Sequence, residues 1–486
     1  LFRSFPPATN DRDRASFMDT LPFEYPCFGL GDYRESAFKI MDANGMSTCD
    51  LRYVSHKMYE GKPKLEGLPA TFATEESGCS TLEITMYDKC ADIEVVLIYT
   101  AFDKLDVITR SAVITNKSEK PFKITRALSA CVDFDTDKMD MITLNGSWAR
   151  ERAVERCRLH HGKQLVDSCK GESSHQNNPF VALCDNNADE DKGEVFGFNF
   201  VYSGNFYAQA EVTQHKKTRF LMGINPLDFE WLLEKGESFT CPEVVMVHSD
   251  EGIGKMSRTF HDLYRNNLIR GEYKDKRRPI LINNWEATYF DFDEQKLIGL
   301  MDEAKKLGVD MFLLDDGWFA NKYPRSSDHQ GLGDWIETAD KLPNGIGRLT
   351  AEAKKHGIKF GIWIEPEMVN PKSDLYEKHK DWVIHLPNRE EYYFRNQMVL
   401  DLSNPAVQDY VFGVVDQLMT KYPDLAFFKW DCNSPITNIY SPYLKGKQTH
   451  LYIDYVKGLY KVLDRIKAKY PNLPMMLCAG GSGRSD

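Results

Sequence analysis

The fold is decided by residues 425–433, which read L-A-F-F-K-W-D-C-N. The stretch begins as an apolar run typical of a strand buried on both faces, and it ends in a lysine, a tryptophan, a carboxylate and an amide. Such a strand suits a barrel whose C-terminal strand ends open into an active site. The charge of Lys429 would keep Asp431 ionised, as a nucleophile or a cation stabiliser requires. A purely structural strand-end ion pair explains this stretch alone equally well.

Strands and helices alternate on both sides of this stretch, over residues 278–486. This alternation predicts a parallel sheet, with strands at residues 280–285, 311–315, 359–364, 397–402, 425–430 and 474–478. Polar and aromatic residues gather at the strand C-termini, as on the active-site face of a (β/α)8 TIM barrel. An open doubly wound sheet is the alternative, but its G-x-G-x-x-G fingerprint is absent. Because a barrel needs eight strands, we expect this one to be truncated after its sixth.

The first half of the chain has a different residue pattern, typical of β-strands. Residues 1–250 contain many short runs rich in β-branched and aromatic residues, such as T-L-E-I-T-M-Y at 81–87, separated by turn residues. This pattern predicts an N-terminal β-sandwich. Apolar residues at helical spacing predict a linker helix within residues 251–277. The sequence thus predicts three parts: a sandwich, a linker helix and a catalytic barrel at 278–486.

Composition excludes several classes of partner. The 72 acidic residues outnumber the 61 lysines and arginines, and the net charge of -11 argues against nucleic acid and anionic membranes. Eleven cysteines without a C-x-x-C pair indicate reduced thiols, which favours a cytoplasmic location. The chain begins at Leu1 rather than methionine. We therefore expect the native N-terminus, with any targeting signal, to be missing from this sequence.

Acidic and aromatic residues lie at or near the predicted strand ends. They are Asp315, Asp316, Glu365, Glu367, Asp401, Asp431, Trp285, Trp318, Trp335 and Trp363. Carboxylates beside aromatic rings suit a sugar, and paired carboxylates are the machinery of glycoside hydrolysis. A divalent-cation site is the competing interpretation, although no recognisable ligand set is present. Phosphate binding by the glycine-rich residues 480–483 is a weaker alternative. The sequence predicts no metal and no cofactor.

Several of these motifs, in the same order, resemble the α-galactosidases of glycoside hydrolase family 36. The matching segments are N-N-W-E-A-T-Y-F at 283–290, L-D-D-G-W-F at 314–319, G-I-W-I-E-P-E-M-V at 361–369, R-N-Q at 395–397, K-W-D-C-N at 429–433, C-A-G-G at 478–481, G-D-Y-R at 31–34 and G-L-P-A-T at 67–71. The resemblance covers nearly the whole chain. It implies a supersandwich followed by a TIM barrel.

The resemblance also implies roles for individual residues. Asp431 would be the nucleophile of a retaining mechanism. Asp315 and Asp316 would accept hydrogen bonds from the 4- and 6-hydroxyls of a terminal galactose, and Cys478 and Gly481 would lie near the 2-position. The full set of implied substrate-binding residues is Trp285, Asp315, Asp316, Trp363, Arg395, Lys429, Trp430, Asn433, Cys478, Gly480 and Gly481.

The acid/base aspartate of the family is expected beyond residue 486, and Asp486 itself is a weaker candidate. Ser482 and Ser485 depart from the family pattern of glycine and an aromatic residue. The resemblance implies a retaining exo-α-galactosidase that acts on small substrates such as melibiose or raffinose, and a homo-oligomer, with a tetramer favoured. The alternatives are an α-N-acetylgalactosaminidase and a galactoside-binding protein without turnover.

Overall fold

The computed structural model describes residues 18–484, so Ser485 and Asp486 lie outside the described residues. The chain divides into two compact units, of which the first continues to Ile269 and the second comprises Arg270–Gly483. This boundary falls within the predicted linker at 251–277. The predicted three-part division stays a prediction.

The first unit consists mainly of β-strands. Its described strands are β1 (Phe38–Met41), β2 (Arg52–Glu60), β3 (Cys79–Asp88), β4 (Ile93–Phe102), β5 (Val107–Asn116), β6 (Phe122–Phe134), β7 (Met139–Ser147), β8 (Arg150–Arg158), β9 (Gly162–Asp167), β10 (Asn177–Asp185), β11 (Val195–Val201), β12 (Phe206–Val212), β13 (Thr218–Ile224), β14 (Trp231–Leu233), β15 (Ser238–Thr240) and β16 (Glu243–Ser249). A 3-10 turn at Met18–Thr20 precedes them, and helix α1 (Gly252–Asn267) follows them.

Two antiparallel sheets form this unit, as a sandwich requires. One contains β1, β6, β13 and β12 in that order, with β14 also paired to β6. The other contains β2, β3, β4, β5, β16, β11, β10, β7 and β8, with β15 also paired to β5. Side chains of the two sheets meet between them: the rings of Phe198 and Phe220 lie 4.1 Å apart, centroid to centroid. The structure therefore agrees with the sandwich predicted from alternating residues.

Helix α1 packs onto β11 and β16 of the larger sheet. Its residues Met256, Phe260 and Leu263 belong to the buried core of this unit. The approach is close because Gly197 has no side chain, since a Cβ atom there would lie 2.6 Å from the Phe260 ring and 2.8 Å from the Met256 sulfur. The helix predicted within the linker is thus packed against the first unit.

The second unit alternates short strands with helices. Its strands are β17 (Leu281–Asn283), β18 (Met311–Leu314), β19 (Lys359–Ile364), β20 (Met368–Val369), β21 (Met398–Val399), β22 (Leu425–Trp430) and β23 (Met475–Leu477). Its helices are α2 (Trp285–Thr288), α3 (Glu294–Lys306), α4 (Gly345–Lys355), α5 (Asp374–Lys378), α6 (Pro405–Lys421) and α7 (Leu451–Lys469), with 3-10 turns at Glu272–Lys274, Lys380–Trp382 and Gln448–His450.

A five-stranded parallel sheet organises these elements, in the order β17, β18, β19, β22 and β23. The C-terminal ends of all five strands therefore lie at one edge of the sheet. Within residues 18–484, no helix combines the length and the apolar character that a membrane span needs.

The prediction that residues 397–402 form the fourth of six parallel strands was wrong. Only Met398–Val399 is extended, and it pairs antiparallel with Met368–Val369 outside the parallel sheet. Strands β19 and β22 pair directly, with Trp363 opposite Lys429, so no strand lies between them. An apolar run predicts burial but not the partner of a strand. The described parallel sheet thus has five strands, not the six that were predicted.

Candidate active site

The C-terminal edge of the parallel sheet brings several of the predicted residues together. Asp315 follows β18, Trp363 lies near the end of β19, Lys429 and Asp431 lie at the end of β22, and Cys478 follows β23. The strands are neighbours in the sheet, and Trp363 is in register with Lys429. These residues therefore form one cluster, which we call the strand-end cluster.

Asp431 is buried within this cluster and is held by hydrogen bonds. Its Oδ2 atom accepts from Trp363 Nε1 at 3.1 Å, and Oδ1 accepts from the backbone N–H groups of Cys432 at 3.0 Å and Gly480 at 3.1 Å. Burial alone would raise the pKa of Asp431, but the charge of Lys429 and these hydrogen bonds lower it below its ordinary value. Asp431 is thus an ionised carboxylate with a fixed orientation.

Lys429 connects Asp431 to a second carboxylate. Its Nζ atom lies 2.8 Å from Asp315 Oδ2, and both side chains are largely buried. Burial would lower the pKa of Lys429, but the charges of Asp315 and Asp431 raise it above its ordinary value. The ammonium group therefore stays protonated and partly neutralises the two carboxylates.

The two asparagines at the end of β17 orient Asp315 and Trp285. Asn283 donates from its side-chain amide to Asp315 Oδ2, and its own Oδ1 atom accepts from the Trp285 backbone N–H at 2.7 Å. Asn284 Oδ1 accepts from the Asp315 backbone N–H at 2.8 Å. The Trp285 ring stands edge-on against the rings of Tyr289 and Phe290. The N-N-W segment thus links the first two strand ends of the sheet.

Asp316 forms a two-pronged ion pair that the sequence did not predict. Arg325 donates from Nε to Oδ1 at 2.9 Å and from Nη2 to Oδ2 at 2.8 Å, and both side chains are buried. Arg325 Nη1 also donates to Asn370 Oδ1 at 2.9 Å. This geometry fixes the Asp316 carboxylate. Because a carboxylate offers about four acceptor positions, Asp316 can still accept further hydrogen bonds.

Glu365 follows β19 and is buried close to Asp431. Its Oε1 atom accepts from the backbone N–H of Asn433 at 2.5 Å and from Gln397 Nε2 at 2.9 Å. Burial, followed by the charge of Asp431, raises the pKa of Glu365 to about 8, although Arg395 opposes the rise. Glu365 is therefore a neutral carboxylic acid at pH 7.

Aromatic side chains pack around Trp363 and support the strand-end cluster. Trp363 is buried and lies parallel to Phe319, with 6.2 Å between ring centroids and 10° between planes. Trp318 Nε1 donates to the Trp363 carbonyl oxygen at 3.0 Å. Trp335 packs 4.5 Å from Phe319, centroid to centroid. This packing fixes the indole N–H of Trp363, which in turn holds Asp431.

The glycine-rich segment after β23 closes on Asp431 and Cys478. Gly480, in the left-handed region with φ of 58°, points its N–H at Asp431. The Gly481 N–H donates to Cys478 Sγ at 3.3 Å. Burial and the charge of Asp431 raise the pKa of Cys478 to about 12, so this thiol is protonated at neutral pH. Arg395 is exposed, and its positive charge acts on the cluster by lowering the pKa of Glu365.

Three predicted residues do not join the cluster. Trp430, expected to bind substrate, donates from Nε1 to Glu367 Oε1 at 2.7 Å, because alternate strand residues point to opposite faces and Lys429 and Asp431 occupy the other one. Glu367 also accepts from Tyr455 at 2.7 Å. Asp401 accepts hydrogen bonds from the Ser403 backbone and hydroxyl and from Ser441. The predicted substrate contact of Trp430 stays a prediction, although its indole N–H is bonded to Glu367 in this structure.

The sequence analysis assigned no function to four residues that support the cluster, Asn283, Asn284, Arg325 and Gln397. Three of them, all except Arg325, lie within the family motifs quoted above. Asn283 and Asn284 could have been found, because they lie at the C-terminal end of a strand. Arg325 lies in a loop without periodicity, and no local pattern marks it as the partner of Asp316. Among residues 18–484, no group of three or more histidine, cysteine or acidic side chains is arranged to hold a metal ion.

Family models match both halves of the chain. A model described as Melibiase matches residues 238–486, and one described as Glycosyl hydrolase family 36 N-terminal domain matches residues 3–234. The curated relative alpha-galactosidase AgaA of Geobacillus stearothermophilus is 49% identical over 487 residues, which cover 100% of this chain. The chain spans 66% of the length of that relative.

Solved structures give the same similarity. Crystal structures of AgaA variants from Geobacillus stearothermophilus, one in complex with stachyose and one with raffinose, each align with a TM-score of 0.95 at 48% identity. Each alignment covers 100% of this chain and 67% of that chain.

Proposed function

Because the chain belongs to the melibiases of glycosyl hydrolase family 36, we propose that the protein is a retaining exo-α-galactosidase. Its substrates would be small galactosides with a terminal α-linked galactose, of the melibiose and raffinose type. The raffinose and stachyose complexes of AgaA variants support this substrate class. The observation that carries the proposal is Asp431, a buried carboxylate kept ionised by Lys429 and oriented by Trp363 and Gly480.

In the proposed mechanism, Asp431 attacks the anomeric carbon and forms a covalent glycosyl ester while the aglycone leaves. Water then hydrolyses this ester with net retention of configuration. The nucleophile must be ionised and held in line with the anomeric carbon, and the three hydrogen bonds to its two oxygens restrict its rotation.

A second carboxyl group must protonate the leaving oxygen, about 5–5.5 Å from the nucleophile in retaining enzymes. We propose that an aspartate beyond residue 486 supplies it, as the family resemblance implies. The length of the relative AgaA, of which this chain spans 66%, is compatible with this assignment.

Galactose selectivity is proposed to come from Asp315 and Asp316. Each carboxylate is fixed by a cation, Asp315 by Lys429 and Asp316 by Arg325, and each has acceptor capacity left for sugar hydroxyls. A sugar that fails to donate to such buried carboxylates leaves their remaining acceptor positions without a hydrogen bond once water is displaced, which is costly. The axial 4-hydroxyl of galactose would thus be selected by the position of these oxygens.

The remaining predicted contacts would shape the sugar pocket. Trp285 and Trp363 would form its aromatic walls, Asn433 would bind ring hydroxyls, and Cys478 and Gly481 would lie beside the 2-position.

We further propose that the five-stranded sheet is part of a (β/α)8 barrel, because its strands are parallel and its functional residues lie at their C-terminal ends. A homo-oligomer, with a tetramer favoured, is proposed from the family resemblance.

The test is hydrolysis of p-nitrophenyl α-galactoside by the protein and by its Asp431→Asn variant. The variant should lose turnover by about 10⁴-fold or more, as when other catalytic nucleophiles are removed, and should still bind galactose. Asp424→Asn is the matched control, since Asp424 is an exposed residue at the opposite end of β22 and the change should leave the rate intact. Full activity of Asp431→Asn would remove the nucleophile assignment. If the protein cleaves only the corresponding α-N-acetylgalactosaminide, the proposed substrate changes to N-acetylgalactosaminides.

A further inference from the structure

Glu365 lies beside the proposed nucleophile but has no part in the mechanism described above. It immediately follows β19, it is 1% exposed, and the charge of Asp431 is the main electrostatic influence on it. A carboxyl group buried to this extent needs a structural or functional reason, because burial without partners is costly. Its hydrogen bonds supply the reason.

Both hydrogen bonds to Glu365 end on one oxygen and come from two different segments. The Asn433 backbone N–H belongs to the chain just after Asp431. Gln397 Nε2 belongs to the segment that carries Arg395. Glu365 Oε1 thus connects two stretches of chain beside the nucleophile.

The segment around Arg395 is one that needs such a connection. Arg395 and Asn396 both adopt left-handed backbone conformations, with φ of 52° and 60°. Residues with a side chain rarely adopt this region, so the surrounding structure has to hold them there. The hydrogen bond from Gln397 to Glu365 is an anchor directly after these two residues.

We propose that Glu365 is a positioning residue of the active site, which acts through Asn433 and Gln397 to hold the segments on either side of Asp431. This inference rests on the proposed function, because it assigns Glu365 to the support of that nucleophile. Glu365 does not itself touch the reacting atoms in this assignment.

Glu365 can fill this role as a neutral carboxylic acid, because burial and the charge of Asp431 raise its pKa more than the hydrogen bonds from Asn433 and Gln397 lower it. The charged groups that influence Glu365 are Asp431, Arg395 and Arg325, and burial with the charge of Asp431 raises its pKa to about 8. At pH 7 its carbonyl oxygen can accept both hydrogen bonds while no second negative charge opposes Asp431. Ionisation above pH 8 would introduce that charge.

Two substitutions separate positioning from proton transfer. Glu365→Gln keeps an oxygen that accepts both hydrogen bonds and cannot ionise or donate an acidic proton. It should retain kcat on p-nitrophenyl α-galactoside within about threefold at pH 6–7. It should also lack the decline in activity near pH 8 that we expect of the wild type from the ionisation of Glu365. Glu365→Ala removes the acceptor and should lower kcat/KM about 100-fold, as a misplacement of about 1 Å does.

Gln397→Leu provides a second route if Glu365→Ala does not fold, because it removes one donor and leaves the carboxyl group in place. Its kcat/KM should fall about tenfold while the decline near pH 8 remains. Hydrogen–deuterium exchange of the peptide that carries Asn433 is measured on the same samples. Exchange at Asn433 should be faster in Glu365→Ala and unchanged in Glu365→Gln.

The two proposals fail in different ways. If the wild type hydrolyses no α-galactoside, the proposed function fails, and the exchange at Asn433 still decides whether Glu365 holds this segment. A Glu365→Gln variant that is folded but more than 100-fold less active would overturn positioning, because it would show that the proton or charge of Glu365 is required. Glu365→Ala with unchanged activity and unchanged exchange would overturn it as well.

Discussion

Replacing Lys429 by methionine should raise the pH at which the proposed α-galactosidase activity is lost on the acid side. Methionine keeps the length of the side chain but removes the ammonium group that lies 2.8 Å from Asp315 Oδ2. Because Asp431 has a lowered pKa and Lys429 is the principal charge that lowers it, its ionised form persists below its ordinary value of 3.8. Loss of the cation raises this pKa, and the acid limb then moves to higher pH by about 1–2 units.

The same substitution should destabilise the protein. At 2.8 Å the charges of Lys429 and Asp315 attract each other by about 6 kcal/mol at an effective dielectric constant of 20, before desolvation is subtracted. Truncating one partner of a buried pair typically costs about 3–5 kcal/mol. Since the Lys429 side chain is 17% exposed and water can partly replace it, we expect about 2–3 kcal/mol.

Two measurements check this prediction. The pH dependence of kcat/KM for p-nitrophenyl α-galactoside reports the pKa of the free enzyme, and urea unfolding reports stability. Lys354→Met is the control, because Lys354 and Asp424 form an exposed pair 3.5 Å apart. The control should change stability by less than about 0.5 kcal/mol and leave the pH profile unchanged. An unmoved acid limb in Lys429→Met would refute the reasoning and would assign the ionisation of Asp431 to its hydrogen bonds alone.

Two further predictions concern the neighbours of this cluster. Arg325→Met should lower the free energy of unfolding, measured in urea, by about 3–5 kcal/mol, because it leaves the buried Asp316 carboxylate without its cation. Adding Asp316→Asn should recover part of that loss. Equal stability of the single variant and the wild type would contradict a stabilising role of the ion pair. Cysteine alkylation by iodoacetamide at pH 8 can be followed by mass spectrometry. The exposed Cys90 and Cys169 should react at least about tenfold faster than Cys478, because the raised pKa of Cys478, about 12, leaves little thiolate. Comparable rates would contradict the raised pKa of Cys478.

Strand ends were predictable from the sequence because the signal is local. The apolar run before Asp315 and the one before Asp431 each set the end of a strand, and parallel strands bring such ends to one edge. The orientation of Trp430 was equally available from the two-residue period of a strand, since Lys429 and Asp431 define the opposite face.

Pairing between distant segments could not be predicted in this way. Residues 397–402 have the composition of a strand, but they stay outside the parallel sheet because β19 and β22 pair directly. The ion pair of Asp316 with Arg325 depends on the course of a loop without periodicity. Partner choice is a property of the whole fold, and a single sequence contains no local signal for it.

The protonation states of the two central carboxyl groups show how a strand can encode chemistry. Asp431 and Glu365 both follow apolar strands and both are buried, yet the pKa of Asp431 is lowered and that of Glu365 is raised to about 8. Two residues earlier in each strand, on the same face, stand Lys429 and Trp363 respectively. The Lys429 ammonium and the Trp363 N–H both act on Asp431 and lower its pKa, whereas burial and the charge of Asp431 raise the pKa of Glu365. The lysine of K-W-D is therefore a signal in the sequence for an ionised Asp431, whereas the neutral state of Glu365 depends on its burial beside Asp431, which is known only once both strands are seen to end at the same edge.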